Sequence, residues 1–443
     1  MIVEQFASAD PHARIAAAVL RLLFGDAYAR NFAIRLWDGS LIPASEQKRF
    51  TLLVNSPGAL RTAFRPPVDL NAGRAFAAGA IDCDGQVEYA VDEMYGAMHR
   101  MPRSALPRML TLLLRLPKEP RPDLREATLR GKMHSVERDR AAIGFHYDQP
   151  VPFYASFLDR ELVYSCAYFD DGVQTLDDAQ IAKLDYTLRK LGVRPGERVL
   201  DIGCGWGALV IRAAQRFGAR ALGVTLSPRQ YEEANRRIAA AGLGDRARVE
   251  LRDYRELNGA EFDKIASVGM FEHVGRSKLP EYFRVAYSLL RPGGLFLNHG
   301  IANQDPTLSD GKASGFMNRF IFPDGELVLV SEALQIAERC GFEVRDVENL
   351  REHYMRTLRA WVANIERNRA DAIAAAGEQS YRTWRLYMAG SAQGFRIGRI
   401  GLFQSLLARA NGDGSVGISP TRRDLYIEGA AVAAPCDPPS RDG

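Results

Sequence analysis

The chain has 443 residues, of which 47% are hydrophobic and 25% charged, so its composition excludes global disorder. Its 58 Lys and Arg against 54 Asp and Glu give a net charge of +4, too small to indicate nucleic-acid binding. It lacks an apolar run of 18 residues, a signal-peptide pattern and a CxxC pair among its five cysteines. We therefore expect a cytoplasmic protein of two or three domains, with no membrane-spanning helix, disulfide framework or cysteine zinc site.

Residues 1–98 predict a small α+β domain. Apolar residues at helical spacing indicate a helix over 11–23, and NFAIRLWDGSLIP and RFTLLV are typical of strands, the first interrupted by an Asp-Gly turn. Reactive side chains do not cluster in this segment. We therefore interpret it as a lipid-binding or dimerisation domain, and a homodimer stays open.

Residues 99–140 form a basic, proline-rich segment. From Arg100 to Arg140 the chain has eleven Lys or Arg and five Asp or Glu, a local net charge of +6, around the apolar piece MLTLLLRL. An inter-domain linker with a solvated helix explains this composition. A basic, partly apolar surface that contacts anionic lipid also explains it, and composition alone does not separate the two interpretations.

From about residue 180, strand and helix patterns alternate regularly. Strands are predicted at RVLDIG, RALGVTL, ARVELRD, FDKIASVGM, LFLNHGI and FEVRDVENL. Ser227, Pro228 and Gln230 predict a helix start with a capping box. Repeated βα units predict an α/β fold with a doubly wound, mostly parallel sheet, which we place in a catalytic domain at 141–410 before a tail at 411–443.

A glycine-rich turn, DIGCGWGA, follows the first of these strands. Gly203, Gly205 and Gly207 allow the backbone to turn sharply and approach a ligand. The GxGxG spacing, with Asp201 before the loop, disfavours a hydride-carrying dinucleotide domain. A cationic, hydroxyl-bearing ligand such as S-adenosylmethionine fits better, and a tight turn without a ligand is the structural alternative. The second strand ends at Thr225 without the usual ribose-binding acid.

Several motifs together resemble one family, the cyclopropane fatty acid synthases, which include the shorter cyclopropane mycolic acid synthases. The motifs are YSCAYF (164–169), VLDIGCGWG (199–207), GVTLS (223–227), SVGMFEHVG (267–275), NHGI (298–301) and SAQGFRIGRIGLFQ (391–404). The resemblance implies a Rossmann-like class I methyltransferase fold and S-adenosylmethionine as methyl donor. It also implies transfer of a methylene to the cis double bond of unsaturated phospholipid acyl chains, by an enzyme peripherally associated with the inner face of the membrane.

The resemblance also implies which residues hold the cofactor. Gly203, Gly205 and Gly207 would wrap S-adenosylmethionine after Asp201. The other implied contacts are Tyr164 and Ser165 at the methionine end, Thr225, Leu226 and Gln230 at the ribose, and Asp253, Tyr254 and Arg255 beside the adenine.

A second implied site holds bicarbonate, the base that would remove a proton from the transferred methyl group. Its residues are Cys166, Glu272, His299 and Tyr354, with the backbone of Ile301. Each has a structural alternative: a small buried hydrophobe for Cys166, a helix-start acid for Glu272, a core histidine for His299 and an interfacial tyrosine for Tyr354.

Further expectations concern the surroundings of this chemistry. A carbocation requires a dry apolar site, and the candidate lining residues are Phe169, Phe271, Phe316, Phe320 and Phe322, each of which core packing also explains. We expect His273 to point away from the site. Ser391 replaces a cysteine found in some relatives, and the seven histidines show no metal-ligand spacing, so no metal site is expected.

Three alternative functions stay open. The first is a fatty-acyl methyltransferase that gives a methyl-branched or methylene-bearing product by losing a different proton. The second is an enzyme that methylates oxygen or nitrogen of a small molecule. The third is a lipid-binding protein with an inactive methyltransferase domain, which intact glycines, Glu272 and His299 disfavour.

Overall fold

The computed structural model describes residues 8–25, 31–44, 48–147, 149–172, 175–259, 261–305 and 314–426. The strands are β1 Phe32–Leu36, β2 Leu41–Ile42, β3 Phe50–Val54, β4 Ile81–Gly85, β5 Arg198–Ile202, β6 Arg220–Thr225, β7 Ala247–Leu251, β8 Phe262–Val268, β9 Leu290–Asn303, β10 Glu343–Asn349 and β11 Ile400–Ala408. The helices are α1 Pro11–Phe24, α2 Ala59–Ala63, α3 Val68–Ala77, α4 Val87–Arg100, α5 Leu106–Arg115, α6 Val136–Tyr147, α7 Val151–Ala155, α8 Leu176–Lys190, α9 Ala208–Phe217, α10 Pro228–Ala240, α11 Leu279–Leu289, α12 Gly315–Phe320, α13 Val330–Arg339, α14 Arg351–Arg367, α15 Arg369–Arg396 and α16 Arg423–Tyr426.

A seven-stranded sheet forms the centre of the larger unit, in the order β10-β11-β9-β8-β5-β6-β7. The pairs among β5 to β9 are parallel, and β11 runs antiparallel between β9 and β10. Apolar clusters cover the sheet, as expected for strands with helices on both faces. The predicted doubly wound α/β sheet is therefore confirmed, while β11 was not predicted as a strand.

The pairing with β11 lengthens the strand that carries His299. The strand predicted at LFLNHGI contains His299 and ends at Ile301, whereas β9 continues to Asn303. β8 pairs with β9 only as far as Val268 opposite His299, whereas β11 pairs with β9 up to Asn303. The predicted strand ends too early because an antiparallel neighbour extends β9 beyond the edge of the parallel sheet.

The start of α10 matches its predicted signal only in part. Ser227 caps the helix, since its Oγ accepts a hydrogen bond from the Gln230 N–H at 3.3 Å, and Pro228 is the first helical residue. The reciprocal bond of a capping box does not form, because the Gln230 Oε1 instead accepts from the Thr225 hydroxyl at 2.7 Å. The side chain of Gln230 is thereby held at the end of β6.

The N-terminal unit contains a second, four-stranded sheet in the order β2-β1-β3-β4. The predicted first helix is confirmed as α1, and Gly39, with φ +85°, occupies the predicted turn between β1 and β2. The basic segment 99–140 contains α5, which buries Met109 and Leu113 in the core. The division at residues 98, 140 and 410 stays a prediction, and the predicted tail extends beyond the described residues, Cys436 included.

A buried arginine joins the two units. Arg385, on α15, donates to the carbonyl oxygens of Cys83 at 3.0 Å and Gly85 at 2.7 Å, at the end of β4. Its Nε also donates to the Glu366 carboxylate at 2.7 Å. α15 bends at Gly377, where φ is +81°, and one apolar cluster continues from the N-terminal sheet to α14 and α15. The small unit therefore supports the helices that form one wall of the site.

No helix among the described ranges is long and apolar enough to cross a bilayer.

Candidate active site

The turn between β5 and α9 forms the floor of a cleft at the carboxyl edge of the sheet. Gly203 has φ +80°, and a Cβ there would lie 2.8 Å from the Cβ of Met270. Gly205 has φ +53°, and a Cβ there would meet no atom within 4 Å. Both glycines line the cleft, whereas Gly207 caps α9 and packs toward Ala234 on α10. Two glycines thus shape the ligand surface, and the third allows two helices to approach.

The end of β6 forms the next wall of the cleft. Thr225, Leu226 and Gln230 all line it, as the resemblance implies. Thr225 and Gln230 are buried and joined by their hydrogen bond, so neutral polar groups stand where an acid usually binds ribose.

A charged cluster closes the side of the cleft that follows β7. Arg255 donates from Nε and Nη2 to both carboxylate oxygens of Asp253, at 2.9 and 2.7 Å, and from Nη2 to Asp139 on α6 at 3.2 Å. The hydrogen bond with Asp253 raises the pKa of Arg255 above its usual value. Tyr254 lies between them in sequence and also lines the cleft. This ion pairing fixes the loop and connects it to α6, a contact that the sequence did not suggest.

Tyr164, Ser165 and Asp201 line the opposite end, together with a buried lysine that sequence reasoning missed. Lys183 on α8 is 2% exposed, and its Nζ donates to the Ser165 hydroxyl at 2.9 Å. Burial lowers the pKa of Lys183 to about 8 and raises the pKa of Asp201 to about 7, while their opposite charges counteract both shifts. This end of the cleft can therefore bind a ligand that carries both a carboxylate and a positive charge.

A signal for Lys183 is present in the sequence. Gln180, Lys183, Thr187 and Lys190 recur at intervals of three or four residues, and all four are buried on α8. Polar residues on the buried face of a helix require partners, so this stripe predicts a polar site against α8.

The carboxylate of Glu272 lies beside β9, in the short 3-10 helix that follows β8. Its Oε1 accepts from the backbone N–H of Ile301 at 2.7 Å, and its buried Oε2 has no hydrogen-bond partner among the described residues. Burial raises the pKa of Glu272 to about 7. The Ile301 N–H therefore positions the carboxylate, and Oε2 stays available to a ligand.

His299 presents a second buried polar atom without a partner. Gln404 on β11 places its Nε2 3.1 Å from the Nδ1 of His299, while Nε2 of the ring has no partner in the described structure. Burial holds the pKa of His299 well below its usual value, so the ring is neutral. With the Gln404 amide donating to Nδ1, the ring proton lies on Nε2 and can be donated to an anion.

Cys166 and Tyr354 are the other two side chains of the predicted anion site. The thiol of Cys166 is buried and donates to the carbonyl oxygen of Ala167 at 3.2 Å. Burial raises the pKa of both groups, with smaller contributions to that of Tyr354 from the nearby Glu272 and Cys166. Both groups are therefore neutral. Tyr354 interacts electrostatically with both Glu272 and Cys166, so the fold brings it near each of them from a segment more than 80 residues away in the sequence.

Aromatic side chains surround Glu272 and Tyr354. The Tyr164 hydroxyl donates to that of Tyr387 at 3.1 Å, and the Tyr164 ring stacks on Trp361 with centroids 5.1 Å apart. Of the predicted phenylalanines, Phe322 lies here, in ring contact with Tyr387 and His273.

The other phenylalanines have different contacts. Phe316 packs on Phe320, Phe271 packs on Tyr282, and Phe169 lies under the guanidinium of Arg356.

His273 corrects one prediction. It lines the cleft instead of pointing away, because the 3-10 helix turns both Glu272 and His273 toward the carboxyl edge of the sheet. Burial lowers the pKa of His273 to about 4, so the ring is neutral. Other residues of the cleft that sequence reasoning missed are Asp139, Tyr147, Thr187, Trp206, Met270 and Lys278.

In the part of the chain that the structure describes, no three His, Cys, Asp or Glu side chains form a potential metal site.

Comparisons with known proteins agree with this geometry. Residues 134–405 match the profile of a family described as mycolic acid cyclopropane synthetase. A "Probable fatty acid methyltransferase" of Pseudomonas putida is 36% identical over 399 residues, covering 89% of this chain and 95% of that protein. Cyclopropane mycolic acid synthase 1 of Mycobacterium tuberculosis is 35% identical over 274 residues, 60% of this chain and 95% of that protein. The crystal structure of mycolic acid cyclopropane synthase CmaA1 with SAH and CTAB has a TM-score of 0.57 at 35% identity, covering 60% of this chain and 97% of that one.

Proposed function

The chain belongs to the mycolic acid cyclopropane synthetase family, and we propose that it adds a methylene bridge across the cis double bond of unsaturated phospholipid acyl chains. It is an S-adenosylmethionine-dependent methyltransferase with the class I fold. One observation carries the finer proposal: within the described residues, Glu272 and His299 leave buried polar atoms without partners, and Glu272 lies near the aromatic side chains of Tyr354 and Tyr387. A cleft for the cofactor and a polar position for a base thus adjoin an apolar space for an acyl chain.

The residues of the cleft fit S-adenosylmethionine. Gly205 leaves open space on its ligand side, and Lys183 and Asp201 offer opposite charges for the amino-acid end. We propose that Tyr164 and Ser165 contact that end, that Thr225, Leu226 and Gln230 bind the ribose, and that Asp253, Tyr254 and Arg255 flank the adenine. When bound, the cofactor supplies a sulfonium methyl group as the electrophile.

The apolar side of the site then has two tasks. An isolated double bond is a weak nucleophile, so the walls must hold it against the methyl group in one orientation. Methyl transfer leaves a carbocation on the acyl chain, which water would quench. The rings of Tyr164, Trp361, Tyr387 and Phe322 exclude water, and their faces stabilise positive charge.

Cyclopropane closure requires that a base remove one proton from the transferred methyl group. Bicarbonate, when bound, would supply that base, and the residues fit an anion: Nε2 of His299 is a donor without a partner among the described residues, and Tyr354 is a neutral donor. The neutral Cys166 thiol would donate to the anion by turning from the carbonyl oxygen of Ala167. Oε2 of Glu272 would accept from the anion's hydroxyl when ionised, or donate when protonated. Ile301 contributes by positioning Glu272 through its N–H.

A second function has support in one comparison. The Pseudomonas putida relative, aligned over most of both chains, bears the name fatty acid methyltransferase. That reaction would share the methyl transfer and differ in how the carbocation is discharged. Loss of a proton from the neighbouring chain carbon gives a methyl-branched alkene, and a hydride shift followed by proton loss from the transferred methyl group gives a methylene-bearing chain. Placement of the base helps to decide among these products.

Mass spectrometry of the lipids tests the proposal. The purified full chain is incubated with S-adenosylmethionine and phospholipid vesicles that contain cis-monounsaturated acyl chains, with and without added bicarbonate. We expect acyl chains that are 14 mass units heavier than the substrate chains. Ozonolysis should not cleave them, because the double bond is lost, and NMR should show a cyclopropane ring. A methyl-branched or methylene-bearing product would overturn ring formation, and turnover unaffected by bicarbonate depletion would overturn the role of the anion.

A further inference from the structure

α5 exposes a row of leucines beside the side on which it buries Met109 and Leu113. Leu106, Leu110 and Leu114 are 44%, 58% and 58% exposed. They are four residues apart, so they follow one another along a single side of the helix. The apolar side of α5 is therefore wider than the strip that packs against the protein. The three leucines form the part of it that faces outward.

The exposure does not result from a loosely attached helix. Met109 and Leu113 on the adjoining side are buried in the core that α5 shares with α1. The guanidinium of Arg61 on α2 donates to the carbonyl oxygens of Leu114 and Leu116, at 3.0 and 2.6 Å, and so satisfies the end of the helix. The fold holds the leucines in position without covering them.

Positive charge accompanies this row. Residues 94–118 contain five Lys or Arg and no Asp or Glu. Arg103, Arg108, Arg115 and Lys118 are exposed, and no ion pair joins any of them to an acid within the described residues. The basic residues further along are already used: Arg121 pairs with Glu126 at 3.0 Å, and a salt bridge at 2.5 Å joins Arg138 to Asp324.

We propose that α5 docks the protein on an anionic phospholipid bilayer, with the three leucines in the interfacial region and the four cations among the headgroups. A row of exposed apolar residues beside unpaired cations is the pattern of helices that lie in a membrane interface. Anionic lipid complements both features, whereas a purely apolar partner would leave the cations unpaired. The inference rests on the proposed function in one respect: an enzyme that acts on phospholipid acyl chains needs a surface that binds the bilayer.

Vesicle binding of the full chain tests the apolar part. Sedimentation is measured without cofactor, on vesicles of phosphatidylcholine alone and with about 30% phosphatidylglycerol. The variant L106Q/L110Q/L114Q should bind the anionic vesicles at least ~10-fold more weakly than the parent. The control L41Q/L251Q removes two leucines that are 54% and 49% exposed elsewhere, and it should bind like the parent.

The charge variant R103Q/R108Q/R115Q tests the electrostatic part. It should lose at least ~10-fold in affinity for anionic vesicles at low salt and have a weaker salt dependence than the parent. R194Q/R220Q/R339Q, three exposed arginines on other surfaces, is the control for net charge. Both α5 variants should keep parental turnover on a monomeric, detergent-dispersed substrate, which shows that the fold and the active site are intact.

Three results would overturn the proposal. One is unchanged vesicle binding by both α5 variants. Another is equal binding of the parent to neutral and anionic vesicles. The third is a shift of the leucine variant from dimer to monomer in analytical ultracentrifugation with vesicle binding retained, since α5 would then be an interface between two copies. Binding is measured without turnover, so the lipid-product assay can fail without affecting this outcome.

Discussion

The cofactor half and the anion half of the site are built differently. In the cofactor half, an ion-paired loop and a buried hydrogen bond surround the cleft: Arg255 joins Asp253 and Asp139, and Lys183 donates to Ser165. The Oδ1 of Asp201 is a buried atom of this half without a partner among the described residues. In the anion half, Glu272 and His299 each leave one buried polar atom without a partner among the described residues. Buried polar atoms without partners are costly, and they are retained where a ligand satisfies them. Both halves therefore leave buried polar atoms for a ligand, but only in the cofactor half do ion pairs between side chains, those of Arg255, fix the surrounding loop among the described residues.

The largest expected effect tests the anion half. Glu272→Gln keeps an oxygen that can accept from the Ile301 N–H, but it removes the titratable group that faces the ligand. We expect kcat to fall by at least ~100-fold, while the Kd for S-adenosylmethionine changes less than ~3-fold. Turnover and calorimetric binding measure the two quantities.

Glu338→Gln, an exposed position on α13, is the matched control and should leave both quantities unchanged. Equal loss of cofactor affinity and turnover in E272Q would contradict the separation of the two halves.

The next effect tests the cofactor half. Lys183→Met removes the buried ammonium that we place against the cofactor carboxylate. Affinity for S-adenosylmethionine should fall ~10- to 100-fold, as for a hydrogen bond to a charged group, while affinity for the decarboxylated analogue should be nearly unchanged.

Lys264→Met is the control, since Lys264 is also buried but lies on β8 outside the cleft. Parallel losses for both ligands would assign Lys183 to folding instead of carboxylate recognition.

A pH series tests the buried carboxylate of the anion half through the stability of the fold. Burial raises the pKa of Glu272 to about 7, so the folded state holds this proton more tightly than the unfolded state. The resulting stability is complete below about pH 4.5 and is lost as the pH rises through about 7.

The glutamine side chain of E272Q has no titratable proton. Between pH 5 and pH 8, the free energy of unfolding of the parent should therefore fall by ~1–3 kcal/mol more than that of E272Q. Urea unfolding without ligands measures the difference. Parallel curves for the two proteins would show that Glu272 is not buried as the structure has it.

The smallest effect concerns the aromatic wall. Tyr387→Phe removes the acceptor of the Tyr164 hydroxyl, a neutral hydrogen bond. We expect a loss of ~1 kcal/mol in stability and a few-fold decrease in kcat, because the ring that excludes water stays in place.

Tyr381→Phe, on the same helix but remote from Tyr164, is the control for kcat. A decrease in kcat above ~100-fold in Y387F alone would give the Tyr387 hydroxyl a direct part in the chemistry.

Local sequence determined most of the cofactor half. Gly203 and Gly205 follow a strand directly, and Ser227 starts a helix by hydrogen bonds within four residues. Such features depend on backbone conformation and neighbouring side chains, so they can be predicted from sequence. The stripe of Gln180, Lys183 and Thr187 on α8 was equally local and could have been interpreted as a buried polar face.

Tertiary structure alone decided the anion half and the surface of α5. β9 continues past His299 because β11, more than 95 residues later, pairs with that strand. His273 lines the cleft because it lies in the 3-10 helix that follows β8. The net charge of 99–140 was evident from composition, but ion pairs to Glu126 and Asp324 use part of it. The cations of α5 have no acidic partner among the described residues. Contacts between distant segments decide which polar groups have partners, and a local pattern carries no information about such contacts.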